Sequence, residues 1–298
     1  MIRVSVILPT FRLGGLDLTK YSLLHQSFRD FELILVDELY CQRKDEVREY
    51  FKGINLKHIP PFRVNNYFSS ATCRNAGLSC AEGELVVFTN DYTWFAPDCI
   101  ERHWDAYNKL EGKYAVTGFR INMDGFKVVD DLNTLYAFGS EIKSEPNGKV
   151  TFVDDRAQYR GRELLGYYEI SPSLLYNDNS SIPLEVALEL NGFDTHFDGG
   201  IGYLDIDFFS RAFLLGCRAL IDPNNVVIEV KSNHIEKGGN FRTLEENRDY
   251  HFRNIDTIRN GKKDVGADNP YSLRSLRYIF GVSKDAERKQ AASSLPVF

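Results

Sequence analysis

The sequence predicts an α/β fold in which helices flank a mostly parallel β-sheet. Short β-branched runs alternate with helical segments through the first part of the chain, and this alternation is typical of β-α-β units. The chain has 298 residues, of which 43% are hydrophobic and 26% are charged. Such a composition is typical of a globular protein and excludes a fibrous or largely disordered chain.

The elements of the first half are predicted from apolar runs bounded by turn residues and from apolar positions at helical spacing. Strands are expected at residues 2–8, 32–37, 56–59, 84–89 and 113–119. Helices are expected at residues 19–26, 46–53, 70–83 and 98–110. Each of the first four strands precedes a helix, as a parallel sheet requires, because parallel neighbours need crossover connections.

The pattern weakens in the second half. Residues 121–178 mix short strands, turns and aromatic side chains, which indicates a small β region. Helices are expected at 183–191, 205–216 and 247–263, and a strand is expected at 226–230. The last residues are polar, which is typical of a mobile tail.

The charge and the cysteine content argue against several classes of protein. The chain has 36 basic and 42 acidic residues, and this net charge of −6 argues against a nucleic-acid partner, which would need a basic surface. Five cysteines without a CxxC pair predict neither a disulfide framework nor a zinc site. No apolar run approaches the ~20 residues of a membrane-spanning helix, and the N-terminal run lacks the features of a signal peptide. We therefore expect a cytoplasmic protein without a transmembrane segment.

Candidate ligand positions follow from the predicted sheet. Ligands of open α/β sheets bind beyond the carboxyl ends of the strands, and this rule selects residues 9–12, residues 37–38, the loop after the strand at 56–59, and residues 90–92. Acidic residues stand at the ends of two of these strands. The GxGxxG motif is absent, so the sequence does not predict a dinucleotide site.

Several segments, taken in order, resemble the family 2 glycosyltransferases with the GT-A (Rossmann-like) fold. The N-terminal ones are VSVILPTF, SLLHQSFRDFELILVDE and ATCRNAGLSCAEGELVVFTNDYTWFAPD. The later one is NSSIPLEVALELNGFDTHFDGGIGYLDIDFFSRAFLLG. Together they cover about residues 2–119 and 179–230. Single pieces such as RNAG are common in proteins, so the resemblance depends on the ordered set.

The resemblance implies a division of the chain. Residues 1–235 are expected to form the GT-A domain, with a nucleotide-sugar half at 1–119 and an acceptor half at 120–235 that contains the small β region. Residues 236–298 are expected to form a loop, a helical C-terminal extension and the mobile tail.

The reaction implied by the resemblance is transfer of a sugar, with inversion, from a nucleoside diphosphate sugar, most often a UDP-sugar, to a hydroxyl group. The implied cofactor is Mn²⁺ or Mg²⁺. The implied acceptor is a glycan, a lipid-linked saccharide or a glycoprotein, as in glycan or polysaccharide biosynthesis, in the cytoplasm or at a membrane face. The aromatic residues of 121–178 suit an acceptor groove and equally an oligomer contact.

The nucleotide-binding positions of the family match residues at several strand ends and on one helix. These residues are Pro9, Thr10, Phe11, Arg12, Asp37, Glu38, Arg74, Asn90 and Asp91. Asp37 and Glu38 stand where the family has an Asp-Asp pair that binds the base or ribose. Residues 90–92 stand at the metal-binding DxD motif and retain a single acid, Asp91. The implied metal ligands are Asp91 and His234, and one carboxylate with diphosphate oxygens suits a hard cation.

The catalytic position of the family matches Asp205, which the resemblance implies is the general base that deprotonates the acceptor hydroxyl. Leu204 stands where the family has a glutamate. Asp207 and Trp94 are expected on the acceptor side. Each residue also has a structural interpretation, because aspartate is a favourable helix N-cap and tryptophan a common core residue.

Two other functions remain open at the sequence level. The altered DxD motif and Leu204 suit a non-catalytic nucleotide- or sugar-binding relative, whereas the retention of Asp91 and Asp205 argues for an enzyme. A nucleotidyltransferase would need a basic residue in a Gly-rich loop after the first strand. The segment RLGG is a poor version of such a loop.

Overall fold

The computed structural model of the chain describes residues 2–11, 16–65, 67, 69–124, 149–153, 156, 160–230, 242–270 and 272–279. The α-helices in these residues are α1 (Leu16–Leu24), α2 (Tyr40–Tyr50), α3 (Ser70–Cys80), α4 (Cys99–Lys109), α5 (Leu184–Glu189), α6 (Leu204–Leu214), α7 (Leu244–Arg259) and α8 (Leu273–Ile279). The strands are β1 (Val4–Thr10), β2 (Phe31–Asp37), β3 (Leu56–Ile59), β4 (Leu85–Phe88), β5 (Thr93–Phe95), β6 (Tyr114–Asp124), β7 (Lys149–Val153), β8 (Glu163–Leu164), β9 (Tyr167–Glu169), β10 (Ser180–Pro183) and β11 (Arg218–Val230).

These strands form one sheet. Its main path runs β3-β2-β1-β4-β10-β6-β11-β9-β8, while β5 pairs with β11 and β7 pairs with β6. The strands β3, β2, β1 and β4 are parallel, as are β6 and β11. The predicted α/β class is confirmed, and antiparallel strands are added in the second half of the sheet.

Helices cover both faces of the sheet, because alternate residues of its central strands enter two separate cores. In β4, Val86 and Phe88 pack with side chains of α3, α5 and α6. Leu85 and Val87 pack on the opposite face with side chains of α1, α2 and α4. Burial on both faces explains why these strands are continuous apolar runs in the sequence.

The strand β10 determines where the two halves of the sheet meet. It is antiparallel to both of its neighbours, and Ser180 pairs with Phe88 of β4 and with Thr117 of β6. Because β10 runs opposite to β4, the residues that precede β10 lie beside those that follow β4. Two distant segments of the chain therefore reach the same edge of the sheet.

The last strand is longer than the sequence predicts. β11 begins at Arg218, eight residues before the predicted start, and the sequence Asp-Pro-Asn-Asn at 222–225 lies inside it. That sequence is typical of a turn. The pairing with β6 instead shifts register between Ile221 and Val226 and then continues, as in a β-bulge.

The two C-terminal helices pack on the sheet domain. α7 begins with a capping box formed by Thr243 and Glu246. On α8, the buried Arg277 donates hydrogen bonds to the carbonyls of Leu78 and Ala81 at the end of α3, at 3.3 and 2.5 Å. The predicted polar tail lies outside the described residues. Neither of these helices, nor any other that the structure describes, has the length and apolar character to cross a bilayer.

A buried ion pair within α6 is contacted by side chains of α7. Arg211 and Asp207 are fully buried, and Arg211 Nε donates to Asp207 Oδ2 at 2.7 Å. His251 Nδ1 and Asn254 Nδ2 of α7 each lie 3.3 Å from Asp207 Oδ1. Burial opposes ionisation of Asp207, but the Arg211 charge and the His251 contact hold the pKa of its carboxyl below the usual value.

Replacing Arg211 should destabilise the protein strongly. Arg211→Met leaves the Asp207 carboxylate buried without its cation, and loss of one partner of a buried ion pair costs about 3–5 kcal/mol. Urea unfolding measures the change in the free energy of unfolding. Arg248→Met, at an exposed ion pair with Glu245 on α7, is the matched control and should leave stability unchanged. Equal stability of the two variants would contradict this account of Arg211.

Candidate active site

A cleft of about 620 Å³ opens beyond the carboxyl end of β4. This is the edge at which ligands bind in open α/β sheets. Its charged and amide side chains among the described residues are Arg74, Asn90, Arg120, Asn177, Asp178 and Asp205. They come from α3, the turn after β4, the strand β6, the segment before β10 and the start of α6, so the fold assembles the cleft from distant parts of the chain.

Asp205 lies in the first turn of α6, partly exposed to the cleft. Asn177 holds its carboxylate, because Nδ2 donates to Oδ1 at 2.5 Å and the main-chain N–H donates to Oδ2 at 3.3 Å. Burial raises the pKa of Asp205, and the charge of Arg74 limits the rise. Tyr203, and not Asp205, is the N-cap residue of α6. The Asp205 carboxylate is therefore an oriented base with increased proton affinity.

Arg74 projects from α3 into the cleft and is 3% exposed. Its Nη2 donates to Asn90 Oδ1 at 2.9 Å, and Nη1 donates to Ser70 Oγ. Its Nε is buried and has no hydrogen-bond partner among the described residues. Burial lowers the pKa of Arg74, an effect that the charge of Asp205 opposes. Arg74 thus places a cation in the lining of the cleft, where it suits an anionic ligand.

No pattern in the sequence marked Asp178 as a site residue, because Asp178 ends the irregular segment that precedes β10. It is 2% exposed, and its Oδ2 accepts a hydrogen bond from Arg120 Nη1 at 2.6 Å. Arg120 also lies 3.4 Å from Glu229. The pairing of β10 with β4 places Asp178 beside Asn90 and so identifies Asp178 as a residue of the site. That antiparallel pairing is a long-range contact that local patterns do not contain.

Asp91 lies next to β1 at the end of the sheet. It is 3% exposed, and its Oδ2 accepts a hydrogen bond from Thr10 Oγ1 at 3.0 Å. The structure therefore brings Thr10, Asn90, Asp91 and Arg74 together, as the sequence predicts. Within the described ranges, no group of three or more His, Cys, Asp or Glu side chains is arranged to hold a metal ion. Arg12 and His234 lie outside the described residues.

Two tyrosines beside the candidate acids have left-handed backbone conformations. Tyr92 follows Asp91 and has a φ of 60°, while Tyr203 precedes the first turn that carries Asp205 and has a φ of 64°. Bulky residues rarely adopt positive φ. Strained backbone of this kind is concentrated at functional sites, and here it flanks both candidate acids.

Asp37, predicted at the nucleotide, is held by several partners. The residue is fully buried, and its carboxylate accepts hydrogen bonds from Arg43 Nε and Nη2 at 2.8 and 2.9 Å. It also accepts from the Leu39 N–H at 2.8 Å, and His58 Nε2 lies 2.9 Å away. Burial opposes ionisation, but His58 and Arg43 hold the pKa of Asp37 below its usual value. Asp37 therefore orients Arg43 and His58, and its contact with a nucleotide stays a prediction.

The other residues expected at the nucleotide keep positions near the strand ends. Glu38 is 7% exposed, and its Oε1 accepts a hydrogen bond from the Ser69 N–H, just before α3, at 3.2 Å. Pro9 is the penultimate residue of β1, and Phe11 follows that strand. Glu38 thus connects the end of β2 to the start of the helix that carries Arg74.

Trp94 and Asp207, both expected on the acceptor side, are buried and are not among the residues that line the cleft. Trp94 is 1% exposed in β5, where it packs in the core beneath α1 and α4. Asp207 is fully buried against Arg211. Residues two apart on a helix face different directions, which explains why Asp205 faces the cleft and Asp207 the interior.

Asp198 holds the start of α3 in place. Its Oδ1 accepts a hydrogen bond from the Ala71 N–H at 2.7 Å, and its Oδ2 accepts from Thr72 Oγ1 at 2.6 Å. A carboxylate at a helix N-terminus satisfies unpaired N–H groups. Burial raises the pKa of Asp198 to about 6, an effect that the Thr72 and Ala71 hydrogen bonds oppose. This contact links the loop before α6 to the helix that carries Arg74.

Solved structures of glycosyltransferases share this fold. S. aureus TarS with UDP-GlcNAc has a TM-score of 0.62 and 15% sequence identity, with 94% of this chain and 71% of that chain covered. GalNAc-T7 with UDP, GalNAc and Mn²⁺ has a TM-score of 0.60 and 13% identity, covering 99% and 58%. The mannosyltransferase PcManGT from Pyrobaculum calidifontis, with GDP-Man and Mn²⁺, has a TM-score of 0.53 and 16% identity, covering 99% and 76%.

These similarities define a GT-A glycosyltransferase fold. The family model described as glycosyl transferase family 2 matches residues 5–166, which is more than half of the chain. The chain therefore belongs to glycosyl transferase family 2 and is a glycosyltransferase. No functionally curated protein matches the sequence. The resemblance seen in the sequence is confirmed at the level of family and fold.

The carboxyl of Asp198 should make the free energy of unfolding depend on pH. The pKa of this carboxyl is about 6 in the folded protein, above the ordinary 3.8, so the folded state binds the proton more tightly than the unfolded state. The protonated carboxyl therefore contributes most to the free energy of unfolding below about pH 4, and this contribution is lost as the pH rises to about 6. Asp198→Asn cannot ionise. Relative to the unaltered protein, its free energy of unfolding should rise by about 1–3 kcal/mol between about pH 4 and pH 7.

Denaturant unfolding at several pH values measures this difference. The same substitution at Asp45, on the exposed face of α2, is the matched control and should show no such trend. A pH-independent difference for Asp198→Asn would show that the carboxyl does not titrate in this window.

Proposed function

We propose that this chain transfers a sugar from a nucleoside diphosphate sugar, with UDP as the donor nucleotide, to a hydroxyl group of a glycan, lipid-linked saccharide or glycoprotein. The transfer inverts the configuration at the anomeric carbon. The observation that carries the proposal is the Asp205 carboxylate, which Asn177 orients on the wall of a cleft that also contains Arg74.

The donor nucleotide is proposed to bind along the ends of β1 and β4. Thr10, Asn90 and Asp91 meet there, and the Arg74 guanidinium lies beside Asn90. A cation with an unpaired Nε suits the oxygens of a diphosphate. The similar structures support this ligand class, because they were solved with UDP-GlcNAc, with UDP and with GDP-Man.

The proposed chemistry is a single displacement. The acceptor hydroxyl oxygen attacks the anomeric carbon and forms the new glycosidic bond, while the bond from that carbon to the diphosphate oxygen breaks and its electrons leave with the diphosphate. Asp205 takes the proton of the hydroxyl. Its raised pKa suits this role, because a carboxylate of higher proton affinity is a stronger base. Arg74 stabilises the charge that develops on the leaving group.

A divalent cation, Mn²⁺ or Mg²⁺, belongs to the proposal. Asp91 is the described residue that would hold it, with His234 as the second candidate ligand. A single buried carboxylate fits a hard cation that takes its remaining ligands from diphosphate oxygens and water. When bound, such an ion neutralises charge on the diphosphate. Mn²⁺ in two of the similar structures supports its use.

The role of Asp205 is tested by separating binding from turnover. Asp205→Asn should bind UDP with unchanged affinity in calorimetry, because the substitution preserves shape and leaves Arg74 and Asp91 intact. Its rate of UDP release from UDP-sugars, with water or saccharide as acceptor, should fall about 100-fold or more, the usual contribution of a general base.

Asp249→Asn, at an exposed acid on α7, is the control that should retain both properties. An unchanged rate of turnover in Asp205→Asn would show that Asp205 is not the general base. Nucleotide binding without turnover in the unaltered protein would favour a non-catalytic relative.

A further inference from the structure

Asp178 has one carboxylate oxygen in use and one that is buried without a partner. Oδ2 accepts the hydrogen bond from Arg120, whereas Oδ1 has no hydrogen-bond donor among the described residues. The neighbouring Asn177 Oδ1 is also buried and unpaired in that part of the chain. Buried acceptors without donors are unfavourable, so two adjacent ones on a cleft wall indicate that a ligand supplies the donors.

The position of these oxygens identifies which part of the cleft they serve. β10 pairs antiparallel with β4, so Asp178 lies on the floor of the cleft beside the turn that carries Asn90 and Asp91. The lining of the cleft also includes Tyr203 and Leu244, from the loop before α6 and the start of α7. The charge of Asp178 acts on both Arg74 and Asp205, so Asp178 lies close to the two residues to which we assign the diphosphate and the reacting hydroxyl.

The charges around Asp178 select the chemistry of the group that binds there. Arg74 lines the cleft with its guanidinium, a cation that suits a diphosphate, and its Nε is buried without a partner among the described residues. Asn177 and Asp178 present acceptors only through their unpaired oxygens. A ligand that spans both must carry anionic oxygens at one end and hydrogen-bond donors at the other, as a sugar diphosphate does.

We propose that the unpaired oxygens of Asp178 and Asn177 each accept a hydrogen bond from a hydroxyl group of the donor sugar, and that Asp178 is a specificity-determining residue. This assignment rests on the proposed function. A site that binds hydroxyl groups with buried acceptors discriminates strongly against ligands that lack them, because its own polar atoms are then left unpaired. Arg120 fixes the Asp178 carboxylate in the orientation that leaves Oδ1 toward the sugar.

The experiment compares the affinities of nucleotides with those of their sugar conjugates. Calorimetry with UDP, UDP-GlcNAc, GDP and GDP-mannose is done in Mn²⁺ on the unaltered chain, on Asp178→Ala and on Asp178→Glu. Alanine removes both oxygens. Glutamate keeps a charge for Arg120 but carries the carboxylate one methylene further into the cleft, into the space assigned to the sugar.

Both variants should bind the free nucleotide within about twofold of the unaltered chain and lose about tenfold or more in affinity for a sugar nucleotide that the unaltered chain binds. Retained nucleotide binding shows that the variants are folded. Glu229→Gln is the matched control, because Glu229 is the other acid near Arg120 and does not line the cleft. It should leave every affinity unchanged.

Three outcomes overturn the assignment in different ways. Unchanged sugar-nucleotide affinity in both Asp178 variants shows that the sugar does not contact Asp178. Full recovery in Asp178→Glu after loss in Asp178→Ala assigns Asp178 only to the ion pair with Arg120. Absence of any nucleotide binding in the folded, unaltered chain overturns the proposed function, and the sugar subsite with it.

Discussion

The position of β10 is the constraint on which the site depends. This short strand is antiparallel to both β4 and β6, and its pairing with β4 brings the segment ending at Asp178 to the turn at Asn90. A one-residue slip would turn Ser180 and its neighbours to the opposite face. Since both faces of β10 are buried, such a slip is strongly disfavoured, and the geometry of the cleft is fixed by core packing.

Some buried polar groups have partners at their charged atoms, and others contain atoms without a partner. Asp207 with Arg211, and Asp37 with Arg43 and His58, form groups in which the buried carboxylates have partners. These groups connect elements of the fold. In the cleft, atoms of Arg74, Asn177 and Asp178 are buried and unpaired among the described residues, and atoms of the same kind, such as Trp94 Nε1, lie outside it. Unpaired buried atoms are unfavourable for stability, and those of the cleft stand beside the space that a ligand can fill.

Local sequence pattern predicted the parallel half of the sheet because its strands are continuous apolar runs between turn residues. It also located Thr10, Asn90 and Asp91, since strand ends in parallel sheets share one edge, whereas Arg74 was located by the family resemblance. Local pattern failed where pairing overrides local preference, as in β11, whose turn-like segment at 222–225 is carried inside the strand. Asp37 and Asp178 show the same limit at the site. An arginine contacts both carboxylate oxygens of Asp37 and one carboxylate oxygen of Asp178, and local pattern does not contain these contacts.

The central claim is that the cleft beyond β4 binds a nucleoside diphosphate and a divalent cation together. The most direct measurement is a thermal-shift series with UDP, GDP, CDP and dTDP, each with and without Mn²⁺. A ligand that binds only the folded state stabilises it by about 2.7 kcal/mol at 100 times its dissociation constant. The account predicts a rise in Tm with UDP that is larger in Mn²⁺ and is reduced in Asp91→Ala. A Tm that no nucleotide changes, with or without Mn²⁺, in protein shown to be folded would contradict this proposal.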